Sequence, residues 1–342
     1  MKKLLALLMV LASVLVIVAC AASTTDTAAT DTAATEATTE EAASTEEAAT
    51  EAAAEEPITI GVSLYARDQF ISTLEQGILA AAEAAGVTVD SQEANNDTQK
   101  QQEQVRTFVT KGYDVLIVNL VDTSTAETII SEAGDTPIIF VNRRPDDSLL
   151  VEGKYAYVGS QEWDAGAMQA AFLAEYFAGR TDPINYILFM GQLGLENTQQ
   201  RTESVKTELE NAGFTLNKVY EDTAEWDRAT AMDMMQSYIG TGAEFDCVIC
   251  NNDEMALGVV EAMKAAGYDL STIPVVGIDA TDMACESVKN GEMAMTVFQD
   301  AATQGSTCVE FAVKAATGEL TDLFGWVPFQ PVTIDNVDDF IS

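Results

Sequence analysis

From residue 58 onward the sequence repeats one unit: a short uninterrupted apolar run, an abrupt polar residue, then apolar positions at helical spacing. The run Cys247-Val248-Ile249-Cys250 ends in Asn251-Asn252-Asp253, and a helical pattern follows at once. Such a run fits a strand of a parallel sheet covered on both faces. Other runs behave alike: 115–118 ends in Asn119, 274–278 in Asp279, 294–298 in Gln299, and 58–64 leads to Asp68. Ligands of open α/β sheets bind outside the carboxyl ends of the strands, which is where these amides and carboxylates fall.

Strands are expected at 58–64, 87–89, 115–118 and 137–141, with helices at 70–85, 97–111 and 123–133 between them. Gly86 follows the first helix as a C-terminal stop. Asn142-Arg143-Arg144-Pro145 breaks the pattern, and a second series starts at 155–158. It runs through a helix at 162–177 and a strand at 184–190 to helices at 282–289 and 301–317, with 327–334 extended. Alternating β and α at this spacing means parallel sheets with helices on both faces. Two series of similar length imply an α/β fold of two similar doubly wound parallel-sheet lobes.

Residues 1–56 do not share this pattern. Lys2-Lys3, the apolar run 4–18 and Ala19-Cys20 form a secretory signal. Its end, Ile17-Val18-Ala19-Cys20, resembles a bacterial lipobox, which implies lipid modification of Cys20 and an extracytoplasmic, membrane-anchored protein. The run of about 15 residues is short for a spanning helix. Residues 21–56 hold ten acids, no Lys or Arg, no aromatic residue and no Gly. They cannot bury enough apolar surface to offset ordering entropy and are expected to form a disordered acidic tether.

Composition removes several function classes. The chain has no His, so the commonest general base and the Ser-His-Asp triad are absent. Its formal net charge of −38 repels phosphate backbones and excludes nucleic acid as a partner. No phosphate-binding glycine motif or nucleophile elbow is present, and no enzymatic activity is expected. Besides Cys20 the cysteines are Cys247, Cys250, Cys285 and Cys308. Cys247 and Cys250 lie inside an apolar strand and point to opposite faces, so they read as small core hydrophobes rather than a redox pair.

What remains is a small-molecule receptor. Asp68 and Asp279 can accept from neighbouring hydroxyls, and Asn119, Asn197, Asn252 and Gln299 can donate and accept. Arg201 offers a planar fork of donors, and Phe70 and Trp226 offer flat apolar faces. Polar groups around the rim with aromatics above and below suit a pyranose.

Several stretches carry a more specific resemblance. Ile60-Gly61-Val62-Ser63-Leu64-Tyr65 followed by Asp68-Gln69-Phe70, Val118-Asn119-Leu120-Val121-Asp122, Asp222 to Asp227, Asn251 to Gly258 and Val276 to Ala280 resemble, in order and spacing, the bacterial galactose/glucose-binding proteins. Those belong to the periplasmic-binding-protein type I group that serves ABC sugar importers. The resemblance covers 58–335. It implies two lobes joined by a three-strand hinge, with crossings near Asn142, Gln299 and Val327. The lobes would then be 57–142 plus 299–327 and 143–298 plus 328–342. It further implies a monomer that closes on a monosaccharide and presents it to a membrane permease, with no cofactor.

Carried over by position, sugar contacts fall on Asp68, Phe70, Asn119, Arg201, Trp226, Asn252 and Asp279. The loop Gly191-Gln192-Leu193-Gly194-Leu195-Glu196-Asn197 has Leu195 and Asn197 where the family has His and Asp, and Gln299 replaces an Asn. Gln299, and Arg143 after Asn142, resemble ribose-binding relatives. The expectation is a glucose- or galactose-type hexose. The alternative is a pentose, a deoxysugar or a modified sugar, or a sensor that presents sugar to a signalling protein. The family's calcium loop corresponds to Gly179-Arg180-Thr181-Asp182-Pro183, which is too short and offers one carboxylate, so no metal is expected.

Overall fold

The computed structural model describes residues 57–341. The signal, the lipobox Cys20 and the acidic tether lie outside the described residues.

Strands β1 (Thr59–Leu64), β2 (Thr88–Glu93), β3 (Val115–Val118), β4 (Ile138–Val141) and β5 (Tyr155–Gly159) alternate with helices α1 (Gln69–Ala85), α2 (Thr98–Lys111) and α3 (Ala126–Ala133). The chain continues through α4 (Glu162–Tyr176), β6 (Ile184–Met190), α5 (Glu196–Asn211), β7 (Leu216–Thr223), α6 (Arg228–Ile239), β8 (Cys247–Cys250), α7 (Asp253–Ala265) and β9 (Val275–Val276). It ends with α8 (Asp282–Lys289), β10 (Met295–Phe298), α9 (Ala301–Ala316), β11 (Phe324–Trp326) and β12 (Gln330–Thr333).

Two six-stranded sheets result, in the orders β11-β5-β4-β3-β1-β2 and β12-β10-β9-β8-β6-β7. Every pairing is parallel except β10 with β12. Each sheet is buried on both faces, which is why its strands read as unbroken apolar runs. In the first lobe, α1 and α9 cover one face over Ile60, Val62 and Ile117, while α2 and α3 cover the other over Leu116, Val118 and Phe140. In the second, α6, α7 and α8 lie over Ile187, Val248 and Cys250, and α4 and α5 over Leu188, Cys247 and Ile249. All four described cysteines are buried and free.

Local rules set the helix ends. Asp68, Asp97, Asp227, Asn252 and Asp300 cap α1, α2, α6, α7 and α9, each accepting from a backbone N–H of the first turn. Gly86 ends α1 at φ 70°, a left-handed conformation that costs glycine little. The second strand is longer than its apolar residues suggest, running to Glu93 through polar positions at the edge of the sheet.

One boundary differs from the sequence expectation. Tyr155–Gly159 belongs to the first lobe, because it pairs in parallel with Ile138–Val141. The break at Asn142 is a helix-free link along that sheet and holds only a 3-10 turn, Asp147–Leu149. The first crossing therefore lies at 159–161 rather than near Asn142. The others fall between Phe298 and Ala301, and between Trp326 and Gln330. Val327 donates to the carbonyl of Gly159 at 2.8 Å, and Gln304 Nε2 donates to Ser160 Oγ at 3.0 Å, so the crossing segments are tied together.

Candidate functional site

The carboxyl ends of both sheets face one cleft between the lobes. The cavity there encloses about 480 Å3 of empty space including its open side. Asp68, Phe70 and Arg143 line it from the first lobe, and Asn197, Arg201, Trp226, Asn252 and Asp279 from the second; Gln299 lies at a crossing. Nine of the residues singled out from sequence are thus brought together.

Asn119 stands apart from them. It is fully buried and does not line the cavity. Its Oδ1 accepts from the Tyr65 N–H at 3.3 Å, and its Nδ2 donates to the Val141 carbonyl at 3.0 Å. These bonds tie the ends of β1, β3 and β4 together and leave the amide nothing to offer a ligand directly. Conversely, Tyr65, Gln69, Ile71, Asn142 and Glu254 line the cavity without having been singled out. The available signal was adjacency: each lies within three residues of a position that was.

The first-lobe wall is built on β1 and the start of α1. Asp68 spends Oδ1 on the N–H of Ile71, at 2.8 Å, and Oδ2 on the Tyr65 hydroxyl. Burial pushes its carboxyl up, and those two donors oppose the shift. The guanidinium carbon of Arg143 lies over the Tyr65 ring, 3.4 Å from its centroid, and Nη1 donates to the Leu120 and Val121 carbonyls. Its Nη2 reaches across the cleft to Gln192 Oε1 at 2.8 Å. Beside it, Arg144 approaches Glu196 of the second lobe at 3.8 Å. The two arginines link the lobes at the mouth.

The second-lobe wall centres on Arg201. Its guanidinium donates to Glu162 Oε2 at 2.6 Å, the Asn251 carbonyl at 2.8 Å and Gln299 Oε1 at 3.0 Å. Its Nη1 stands 3.8 Å from Asp279 Oδ1. Asp279 itself sits at φ 124°, and burial drives its carboxyl well above the ordinary range despite Arg201. Beneath it Asp253 is fully buried and also raised, to about 7, by burial. Gln299 Nε2 is buried without a partner, a donor left for something in the cleft. Trp226, at φ 67°, presses its indole on Gly191, where a Cβ would lie 2.0 Å from Cζ2. Among the described residues, three of the seven non-glycine residues with positive φ, Asn142, Trp226 and Asp279, line this cavity. Strained backbone of this kind concentrates where side chains must be aimed.

The arrangement offers acceptors, donors and aromatic faces from two walls. Among the described residues there is no group of three or more metal-ligating side chains, and no helix is long and apolar enough to cross a membrane.

Comparison with known proteins agrees with this geometry. A family model described as periplasmic binding protein domain matches residues 60–320. A putative rhizopine-binding protein of Rhizobium meliloti is 35% identical over 287 residues, covering 82% of this chain and 92% of that protein. The D-galactose/methyl-galactoside binding periplasmic protein MglB of Haemophilus influenzae is 30% identical, covering 83% and 92%. A crystal structure of an ABC transporter solute binding protein from Bacillus halodurans with bound myo-inositol aligns with TM-score 0.75 and 35% identity, covering 83% and 96%. The chain belongs to the periplasmic binding protein family.

Proposed function

We propose that this protein is the extracytoplasmic solute-binding component of an ABC importer, and that it holds one six-carbon cyclic polyol between its lobes. A galactose- or glucose-type hexose and myo-inositol both fit this description. The observation that carries the reading is the convergence of Asp68 and Phe70 from one lobe with Asp279 and Trp226 from the other on a single cleft. Carboxylates accept from pairs of neighbouring hydroxyls, and aromatic rings cover the C–H faces of the ring. Gln299 Nε2 supplies an unspent donor. The relatives support the class of ligand through galactose and myo-inositol.

Function follows from closure. Contacts from both lobes stabilise the closed form, so ligand shifts the population toward it. The crossings at 159–161, 299–300 and 327–329 absorb the motion. The closed form then meets a membrane permease. Lipidation of Cys20 would hold the protein at the membrane, and Cys20→Ser would release it while leaving binding intact.

The test is calorimetric titration of the protein with D-galactose, D-glucose, myo-inositol and D-ribose. Ribose is included because of Gln299 and Arg143. Saturable binding of a six-carbon polyol, with ribose weaker by at least tenfold, is expected. Binding of none, or of ribose alone, overturns the reading.

A further inference from the structure

Glu254 has no role in the reading so far. It sits in the first turn of α7, just after the capping Asn252, and lines the cleft. Its carboxylate is clamped by Arg228, which donates Nη2 to Oε1 at 2.7 Å and Nε to Oε2 at 3.0 Å. The clamp fixes Glu254 in one geometry while leaving it about a quarter exposed. Asp68 lines the same cavity from the other lobe, and the Glu254 charge is one of those that push the Asp68 carboxyl up. Asp279 adds a third carboxyl, raised by burial and by neighbouring carboxylates, Asp68 included, with Arg201 opposing. The Asp68 and Glu254 carboxylates, one on each wall, repel as they approach in a medium of low effective dielectric. A polyol placed between them gives each carboxylate a hydroxyl to accept from. That the space is shaped for a ligand has separate support in the buried, unpartnered Gln299 Nε2 at its edge.

We propose that Glu254 is a ligand-reading residue that faces Asp68 across the cleft, accepts a hydroxyl of the bound polyol, and makes closure conditional on that ligand. The inference rests on the binding reading above. Arg228 acts as a positioning residue, holding Glu254 without touching ligand.

The experiment compares the full protein with Glu254→Gln and with Glu261→Gln. Glu261 also approaches Arg228, at 3.7 Å, but is half-exposed and does not line the cavity. Two quantities are read: the affinity for myo-inositol and D-galactose by calorimetry, and the radius of gyration of the ligand-free protein by solution scattering. Glu254→Gln is expected to weaken the better probe at least tenfold. It is also expected to make the ligand-free protein more compact, since the opposing charge is gone. Glu261→Gln is expected to change neither. Affinity within twofold of the parent, unchanged ligand-free dimensions, or the same shifts in Glu261→Gln would each overturn the proposal. If the parent binds neither probe, the binding reading fails by itself, and the ligand-free scattering still decides whether Glu254 opposes closure.

Discussion

Trp226 and Asp279 carry the sharpest expectations at the scale of single residues. Truncating Trp226 to Ala removes an aromatic face, worth roughly 2 kcal/mol or more at a well-packed site. Asp279→Ala removes a buried hydrogen-bonding carboxyl, and leaving its partners unsatisfied typically costs about 1–3 kcal/mol. Each change should weaken polyol binding on the order of tenfold in calorimetry, since about 1.4 kcal/mol is one decade. Ligand-free Asp279→Ala should melt no lower than the parent, because the carboxyl is raised by its own burial and so opposes folding when ionised. Gly191→Ala should reproduce the binding loss without removing any cleft side chain, because its methyl group would collide with the indole. Unchanged affinity in Gly191→Ala would show that the indole position does not matter. Sequence made Trp226 and Asp279 legible because a polar or aromatic residue directly after a strand has few places to go. Asn119 satisfied the same rule and still turned inward, because two backbone groups at neighbouring strand ends claimed its amide. A pattern of one strand cannot register competitors supplied by two others. Glu254 was hidden for the opposite reason: in the first turn of a helix an acid reads as a favourable partner of the helix dipole.

Among the elements, α5 couples the mouth of the cleft to pH. Its first residue, Glu196, is pushed up to about 7 by burial and by Glu162, with Arg144 opposing. A carboxyl whose pKa rises on folding stabilises the protein only while it holds its proton. That contribution is present below its ordinary value near 4.5 and is lost as pH rises toward 7. Melting temperatures measured from pH 4.5 to 8 should therefore fall across this window. Glu196→Gln should shrink the fall, and Asp253, also raised to about 7, should leave a remainder. An identical profile in the variant would refute the assignment. The elements themselves were largely readable, since period and length separate strand from helix in runs such as Cys247–Cys250 and Asp253–Ala265. The lobe of β5 was not readable. Its membership is decided by pairing with β4 across a link that lacks the usual crossover helix, and neither composition nor period encodes a pairing partner.

For the molecule as a whole, the link from α4 to β6 bears on metal dependence. Arg180 fills it with a cation of its own, donating to the Asp182 and Pro183 carbonyls and to Asp246 Oδ2. Oxygens already turned toward a guanidinium are not free for calcium. The melting temperature should be the same with and without a chelator, and a drop of several degrees restored by calcium would refute this. The close packing of α9 on α1 has a consequence of another kind. A Cβ on Gly305 would lie 2.6 Å from the Leu74 carbonyl oxygen, so the two helices touch backbone to backbone. Ile71, Leu74 and Ile78 share one core with Cys308, Val309 and Ala312. The first lobe is thus closed by a helix made long after α1. A chain ending at residue 300 should leave α1 amides unprotected in hydrogen exchange, whereas protection equal to the parent would show that the lobe folds without α9. At about 5–20 residues per second during synthesis, α1 waits roughly ten to fifty seconds for its partner. During that interval α1 alone covers that face of the sheet, and the part that α9 will bury stays open.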